Sequence, residues 1–176
     1  MRKALATNRL LVMNEPILFS TGRCALGIAL VAKSERGLCA LLLGDDARSL
    51  AEDLRQRFPQ AEVREAPLEP LVSQVATFLA APAAGLDLAL DLRGSEFQKK
   101  VWTALQEIPA GSTESYGAIA QRIGAPQSAK EVGEACASNP LAVAIPCHRV
   151  VRKDGGVAGY RWGVRRKRAL LELEKR

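Results

Sequence analysis

Histidine is almost missing from this chain: His148 is the only one in 176 residues. The four cysteines, Cys24, Cys39, Cys136 and Cys147, include no pair with the two-residue spacing of zinc ligands. With one histidine to complete a set, a structural zinc site is poorly supported. A disulfide framework is out of place in a chain of this size without secretion signals. The thiols therefore read as reduced, and Cys24 and Cys39, set in apolar strand-like sequence, read as core. Long hydrophobic runs are also missing. Charge or glycine interrupts each apolar stretch well before the ~20 residues that span a membrane. The opening MRKALATNRLLVMNEP has neither the sustained apolar segment nor the cleavage pattern of a signal peptide. The expectation is a soluble cytoplasmic protein with no metal, no cofactor and no membrane partner.

What is present is globular. Apolar residues make up 48% of the chain, and the length suits one domain, or two small ones sharing a core. The formal charge is +6 and it is unevenly spread. Between Pro146 and Arg168, eight Lys or Arg stand against the single acid Asp154. A polyanion such as nucleic acid fits that run; a solvated basic face fits it too.

The patterning predicts a mixed α/β fold in two parts, the second starting near Gly94. Strands are expected at 24–31 and 37–43 around the charged turn Lys33-Ser34-Glu35-Arg36. Helices follow at 47–58 and 67–80, and a short strand at 86–90 after the linker-like APAAG. In the second part, Ser95 caps a helix through Glu107. Another helix starts at Thr113 or Ser115 and runs past Ile119. A turn at Gly124-Ala125-Pro126 leads to a helix over 127–137. The paired short helices have the pattern of a helix-turn-helix, which many all-helical cores share. A last helix covers 165–175, with Leu170 and Leu171 inward.

The chemistry concentrates in Ile145-Pro146-Cys147-His148-Arg149-Val150. A buried cysteine is usually a small hydrophobe. One beside the only histidine, with arginines following, is better placed to form a nucleophilic thiolate.

Pro146-Cys147-His148-Arg149-Val150 resembles the active-site motif of the O6-alkylguanine-DNA alkyltransferases. Phe97-Gln98, Val101-Trp102, Ile108-Pro109 with Gly111, Ser115-Tyr116, Asn139-Pro140 and Gly159-Tyr160-Arg161-Trp162-Gly163 agree with it. Glu35-Arg36-Gly37 and Leu42-Leu43-Gly44-Asp45-Asp46 extend the match forward. The likeness is strongest to the methylguanine-repairing half of the bacterial adaptive-response regulators. The resemblance implies a ribonuclease-H-like scaffold over 1–85 and an alkyltransferase domain with a winged-helix-like helix-turn-helix over 90–176. It also implies irreversible transfer of an alkyl group from guanine O6, and possible use of O4-alkylthymine, to Cys147, once per molecule. The partner would be double-stranded DNA, met by a monomer in the nucleoid, with the target base flipped out.

By the same resemblance, His148 acts on the thiol through a water, Glu174 orients His148, Tyr116 gives a proton to the leaving base, and Asn139 buttresses the turn before Cys147. Tyr116, Lys130, Val150, Val157, Gly159, Tyr160 and Arg161 would bind the substrate. Thr113, Ser115, Gln127, Ser128, Ala129, Lys130, Glu131, Gly133 and Arg149 would meet DNA. Lys130 stands where the family has an arginine that fills the gap left by the flipped base, and it lacks the planar fork of a guanidinium. Glu131 stands where alanine is usual, and Glu134 adds a second acid. Their charge opposes phosphate. The alternative is a lesion-binding sensor with little or no transfer activity.

Overall fold

Two glycines fix the first half of the molecule. Gly27 (φ +113°) and Gly37 (φ +143°) adopt backbone conformations that side chains rarely enter. A Cβ at Gly37 would also collide with the Ala89 carbonyl. These residues open strands β2 and β3 of an antiparallel meander: β1 (Pro16–Cys24), β2 (Gly27–Ser34) and β3 (Gly37–Gly44). A fourth strand, β4 (Glu62–Glu65), adds parallel to β1, giving the order β3-β2-β1-β4. The computed structural model describes residues 15–157 and 159–175, so the expectation for the first fourteen residues lies outside it.

Helix α1 (Ala47–Arg57) is capped by the Asp46 carboxylate, which accepts from Ser49 N at 2.7 Å. It buries Leu50, Ala51 and Leu54, and α2 (Glu69–Ala80) buries Val75, Phe78 and Leu79. Then come α3 (Glu96–Gln106), β5 (Glu114–Ser115), α4 (Tyr116–Arg122), α5 (Ala129–Ser138), β6 (Val150–Val151) and α6 (Val164–Leu173). Ser95 does more than the expected capping: its hydroxyl and the Gln98 side chain exchange hydrogen bonds with each other's backbone in a capping box. Ser115 caps α4 by accepting from Ala118 N at 3.1 Å.

The two halves share one core cluster, running from Ile17 to Leu170. The open edge of β3 is where they join. Leu38 N donates to Ala89 O and Asp91 N to Leu38 O, while Leu41 N donates to Pro140 O and Ala142 N to Leu41 O. Two short pieces of the second half thus cover an edge that would otherwise stay unpaired. One of them leads straight into Pro146-Cys147.

The structure departs from expectation in places. The strand placed at 24–31 straddles the β1–β2 turn. β1 was not foreseen, because Ser20, Thr21 and Gly22 interrupt its apolar residues. β4 was missed because EVRE has one apolar residue and lies exposed at the sheet edge. The segment 86–90 is a single bridge at Leu90 rather than a strand.

Trp102 centres the helical part. It is 1% exposed, its Nε1 donates to Ala135 O at 2.9 Å, and Gly94 leaves room for its ring. Trp102→Phe deletes that bond and opens a void, so a loss of about 2 kcal/mol is expected. Urea unfolding should show a lower midpoint with an unchanged slope.

Candidate active site

The segment after α5 is folded by one side chain. Asn139 is fully buried; its Oδ1 accepts from Leu141 N at 2.8 Å. Its Nδ2 lies 3.3 Å from Leu141 O, 3.1 Å from Ile145 O and 3.3 Å from the Cys147 sulfur. Within this loop Val143 takes φ +64°, a costly conformation for a β-branched residue. The Asn139 bonds hold the turn that imposes it. Cys147 then opens a single 3₁₀ turn, Cys147–Arg149, leading into β6.

Cys147 is 3% exposed and lines a cavity of about 380 Å³ with Tyr116, Gly133, Cys136, Gly159, Tyr160 and Arg161. Burial pushes its thiol up to about 11, against the lowering effect of the Asn139 hydrogen bond and of Lys167. At neutral pH the resting group is the thiol. Burial likewise raises Tyr116 to about 12.

Beside it, His148 is completely buried. Burial lowers its pKa more than the neighbouring Glu174 raises it, so the ring is neutral. Nε2 lies 2.8 Å from Glu174 Oε1. Burial would raise the Glu174 carboxyl, but hydrogen bonds from His148 and Arg149 bring it down to about 2. An ionised carboxylate only accepts, so Nε2 carries the ring proton and Nδ1 is the free base. Nδ1 is buried with no hydrogen-bond partner among the described residues. The pair is therefore set up to take one proton on the side away from Glu174.

Glu174 is in turn clamped by Arg149, whose Nε lies 3.0 Å from Oε2 and Nη2 2.7 Å from Oε1, while Nη1 donates to Ile108 O at 2.6 Å. Arg149, expected to meet DNA, is 8% exposed, with Nε and Nη2 turned to Glu174 and Nη1 to Ile108. Three residues of the expected substrate group, Val150, Val157 and Lys130, do not line the Cys147 cavity. Val150 is fully buried, its carbonyl taken by Lys167 Nζ at 2.6 Å, and it does not line the Cys147 cavity. Val157 lines a separate cavity with Thr113, Val151 and Arg168. Lys130 is also absent from the Cys147 cavity. It lies on the outer face of α5, 3.9 Å from Glu134, with Glu131 exposed alongside. Gln127 is exposed before that helix, and Ser128 and Ala129 are half-buried at its start. The Ser115 hydroxyl is engaged as a cap. Gly133 lies on the inner side, where a Cβ would sit 3.8 Å from the Tyr116 ring.

Two residues were missed from sequence. Lys167 is fully buried, and burial depresses its pKa against the pull of Cys147 and Cys136. It was read as one of a basic run, yet it falls three residues before Leu170 and seven before Glu174, on the inward face of α6. Cys136, one turn after Val132, is the second thiol of the cavity, and burial raises its pKa. No cluster of three His, Cys, Asp or Glu suited to a metal occurs among the described residues.

Residues 96–176 match the family described as 6-O-methylguanine DNA methyltransferase, DNA binding domain. A Bacillus subtilis relative, the inducible methylated-DNA–protein-cysteine methyltransferase, is 40% identical over 129 residues, 72% of each chain. The chain belongs to the methylated-DNA–protein-cysteine methyltransferase family. The Escherichia coli protein Ada, a bifunctional transcriptional activator and DNA repair enzyme, is 48% identical over 163 residues, 92% of this chain and 46% of Ada. The chain thus spans about half the length of that relative. The mixed α/β fold agrees with the crystal structure of Mycobacterium tuberculosis OGT in complex with DNA. The two share a TM-score of 0.72 and 36% identity, over 91% of this chain and 92% of OGT.

Glu174→Gln leaves Arg149 buried without its counter-ion. A loss of about 3–5 kcal/mol is expected at neutral pH, read by denaturant unfolding. The carboxyl is depressed from 4.5 to about 2, so its contribution is complete above 4.5 and fades as pH falls towards 2. Stability curves over that window should be steeper for the unmodified protein than for the variant.

Proposed function

We propose that this protein repairs DNA by direct, single-turnover transfer of an alkyl group from guanine O6 to Cys147. The observation that carries this is the buried Cys147 thiol at a base-sized cavity, beside a neutral His148 whose proton is held towards Glu174. The names of its relatives support the same reading. In the proposed step, the proton of the thiol passes through a water to His148 Nδ1. The sulfur attacks the alkyl carbon, an S–C bond forms and the O6–C bond breaks. The electron pair leaves on O6, and the guanine takes a proton from Tyr116, which lines the cavity and regains one from solvent as the imidazolium of His148 gives its extra proton up. The product thioether is stable, so each molecule acts once. Lys167 favours the thiolate while it exists.

For DNA contact we infer that α4 and α5 act as a helix-turn-helix, in a domain over 90–176 packed on a scaffold over 1–85. The outer residues of α5 would lie nearest the duplex, with the base flipped into the cavity of a monomeric, nucleoid-bound protein. A lesion sensor without transfer is not favoured, since Cys147, His148, Tyr116, Asn139 and Glu174 are all retained.

The decisive test is intact-protein mass after incubation with a duplex carrying one O6-methylguanine. One equivalent of gain, about 14 Da, is expected, and none for Cys147→Ser. Binding to duplex without any gain would replace the proposal with the sensor. On α5, Glu131→Ala removes an exposed carboxylate beside Lys130. Duplex affinity is expected to tighten several-fold at low salt, an advantage that shrinks as ionic strength rises. Titrations at two salt concentrations measure it, and equal affinities would place Glu131 off the interface.

A further inference from the structure

The wall of the Cys147 cavity includes a side chain whose position is set from the other half of the chain. Arg161 lines the cavity, yet its guanidinium is fixed outside it. Nη2 lies 2.9 Å from Asp53 Oδ1 on α1, and Nη1 donates to Ala137 O at 3.4 Å. The second Asp53 oxygen lies 3.2 Å from Arg57 Nε, and Arg57 Nη1 donates to Ser138 O at 3.3 Å. One carboxylate is therefore shared by two arginines, and each arginine also holds a carbonyl at the C-terminus of α5. Those carbonyls are the ones a helix leaves unpaired, and they carry its negative dipole end.

We propose that Asp53 is a positioning residue for alkyl transfer: by pinning Arg161 it fixes the cavity wall against which the flipped base is held over Cys147. This rests on the function proposed above and deepens it, because it gives the first half of the chain a part in the reaction.

The direction of the effect follows from charge. As an isolated, part-exposed ion pair, Asp53–Arg161 would contribute little to stability. Its importance is geometric. Without Asp53, two guanidinium groups face each other with no shared counter-ion. Arg57 is the less exposed of the two, and burial and the Arg161 charge already depress its pKa. Arg161, the more exposed, is the one to swing out. The cavity then widens and the base loses one of its walls. A small misplacement of a reacting group lowers rate more than affinity.

Two readouts test this in the full chain. The first needs no DNA: Cys147 modification by N-ethylmaleimide and by the smaller iodoacetamide, followed by peptide mass spectrometry. Asp53→Ala should raise the ratio of bulky to small reagent rates at Cys147 about ten-fold. Asp53→Glu, which can still reach Arg161, should keep the ratio of the unmodified protein. In an Arg161→Ala background, Asp53→Ala should add nothing further, as expected for residues acting in series. The second readout is single-turnover transfer from an O6-methylguanine duplex. For Asp53→Ala, the rate at saturating duplex should fall about ten-fold with the half-saturating concentration unchanged, and Asp53→Glu should recover most of it. An unchanged reagent ratio, or an equal rise in the Arg161→Ala background, overturns the pinning. An unchanged transfer rate overturns the role in the reaction. If the unmodified protein does not transfer at all, the proposed function fails, while the thiol readout still decides whether Asp53 sets the wall.

Discussion

The Glu174 carboxylate is the interaction on which the site depends. It comes from the end of α6, far along the chain from the helices that frame the cavity, and it meets His148 and Arg149 with no water-exposed face of its own. Removing a carboxylate from water is costly, and here the cost is offset by the bidentate arginine and the imidazole N–H together. The consequence is chemical as well as structural. A permanently ionised Glu174 fixes which nitrogen of His148 is protonated, and so which one is free to act. It also ties the last helix to the 3₁₀ turn carrying Cys147. Lys167, one face-repeat earlier on the same helix, is thereby brought within electrostatic reach of Cys147 and Cys136.

The buried charges near Cys147 do not cancel at rest. Glu174 and Arg149 neutralise each other, His148 and Cys147 are neutral, and Lys167 is held by the Val150 carbonyl rather than by a carboxylate. One positive charge is left facing the thiol. Loss of the thiol proton to His148 would put a negative charge near that cation, so Lys167 favours the ion pair. Burial opposes this by holding the thiol near 11. Both effects act on the same thiol, and burial is the larger of the two.

Much of this arrangement was legible in the sequence, and the misreadings share a cause. Cys147, His148, Glu174 and Asn139 stand out because a motif names them, and the structure joins them by hydrogen bonds in two pairs, Asn139 with Cys147 and Glu174 with His148. Arg149 and the basic run that includes Lys167 read as phosphate-binding, because positive charge near a presumed polyanion site does so. Burial decides otherwise, and burial of a cation depends on a distant partner, Glu174 for one and the Val150 carbonyl for the other. Val157 follows the same logic: proximity in sequence to Gly159 and Tyr160 suggested a shared wall, but the turn at Gly155 and Gly156 sends it to a different cavity. The strand β4 was invisible for a local reason. An exposed edge strand needs no apolar alternation, and its pairing with β1 across some forty residues leaves no trace in composition.

A raised thiol pKa looks unhelpful in a nucleophile until single turnover is considered. At pH 7 a group titrating near 11 is ionised in about one molecule in ten thousand, so stray electrophiles meet a poor nucleophile. A multi-turnover enzyme would lose rate by this. Under the function proposed above, where the acceptor would be consumed irreversibly, it would be a gain, because an adventitious adduct at Cys147 would cost the whole molecule. The thiolate, when it does form, is also intrinsically more nucleophilic than one of low pKa. Ionisation is then best deferred until the substrate has excluded bulk water and the alkyl carbon lies within reach. In that reading His148 is the base, its tautomer already set by Glu174 so that Nδ1 is the nitrogen free to take the proton.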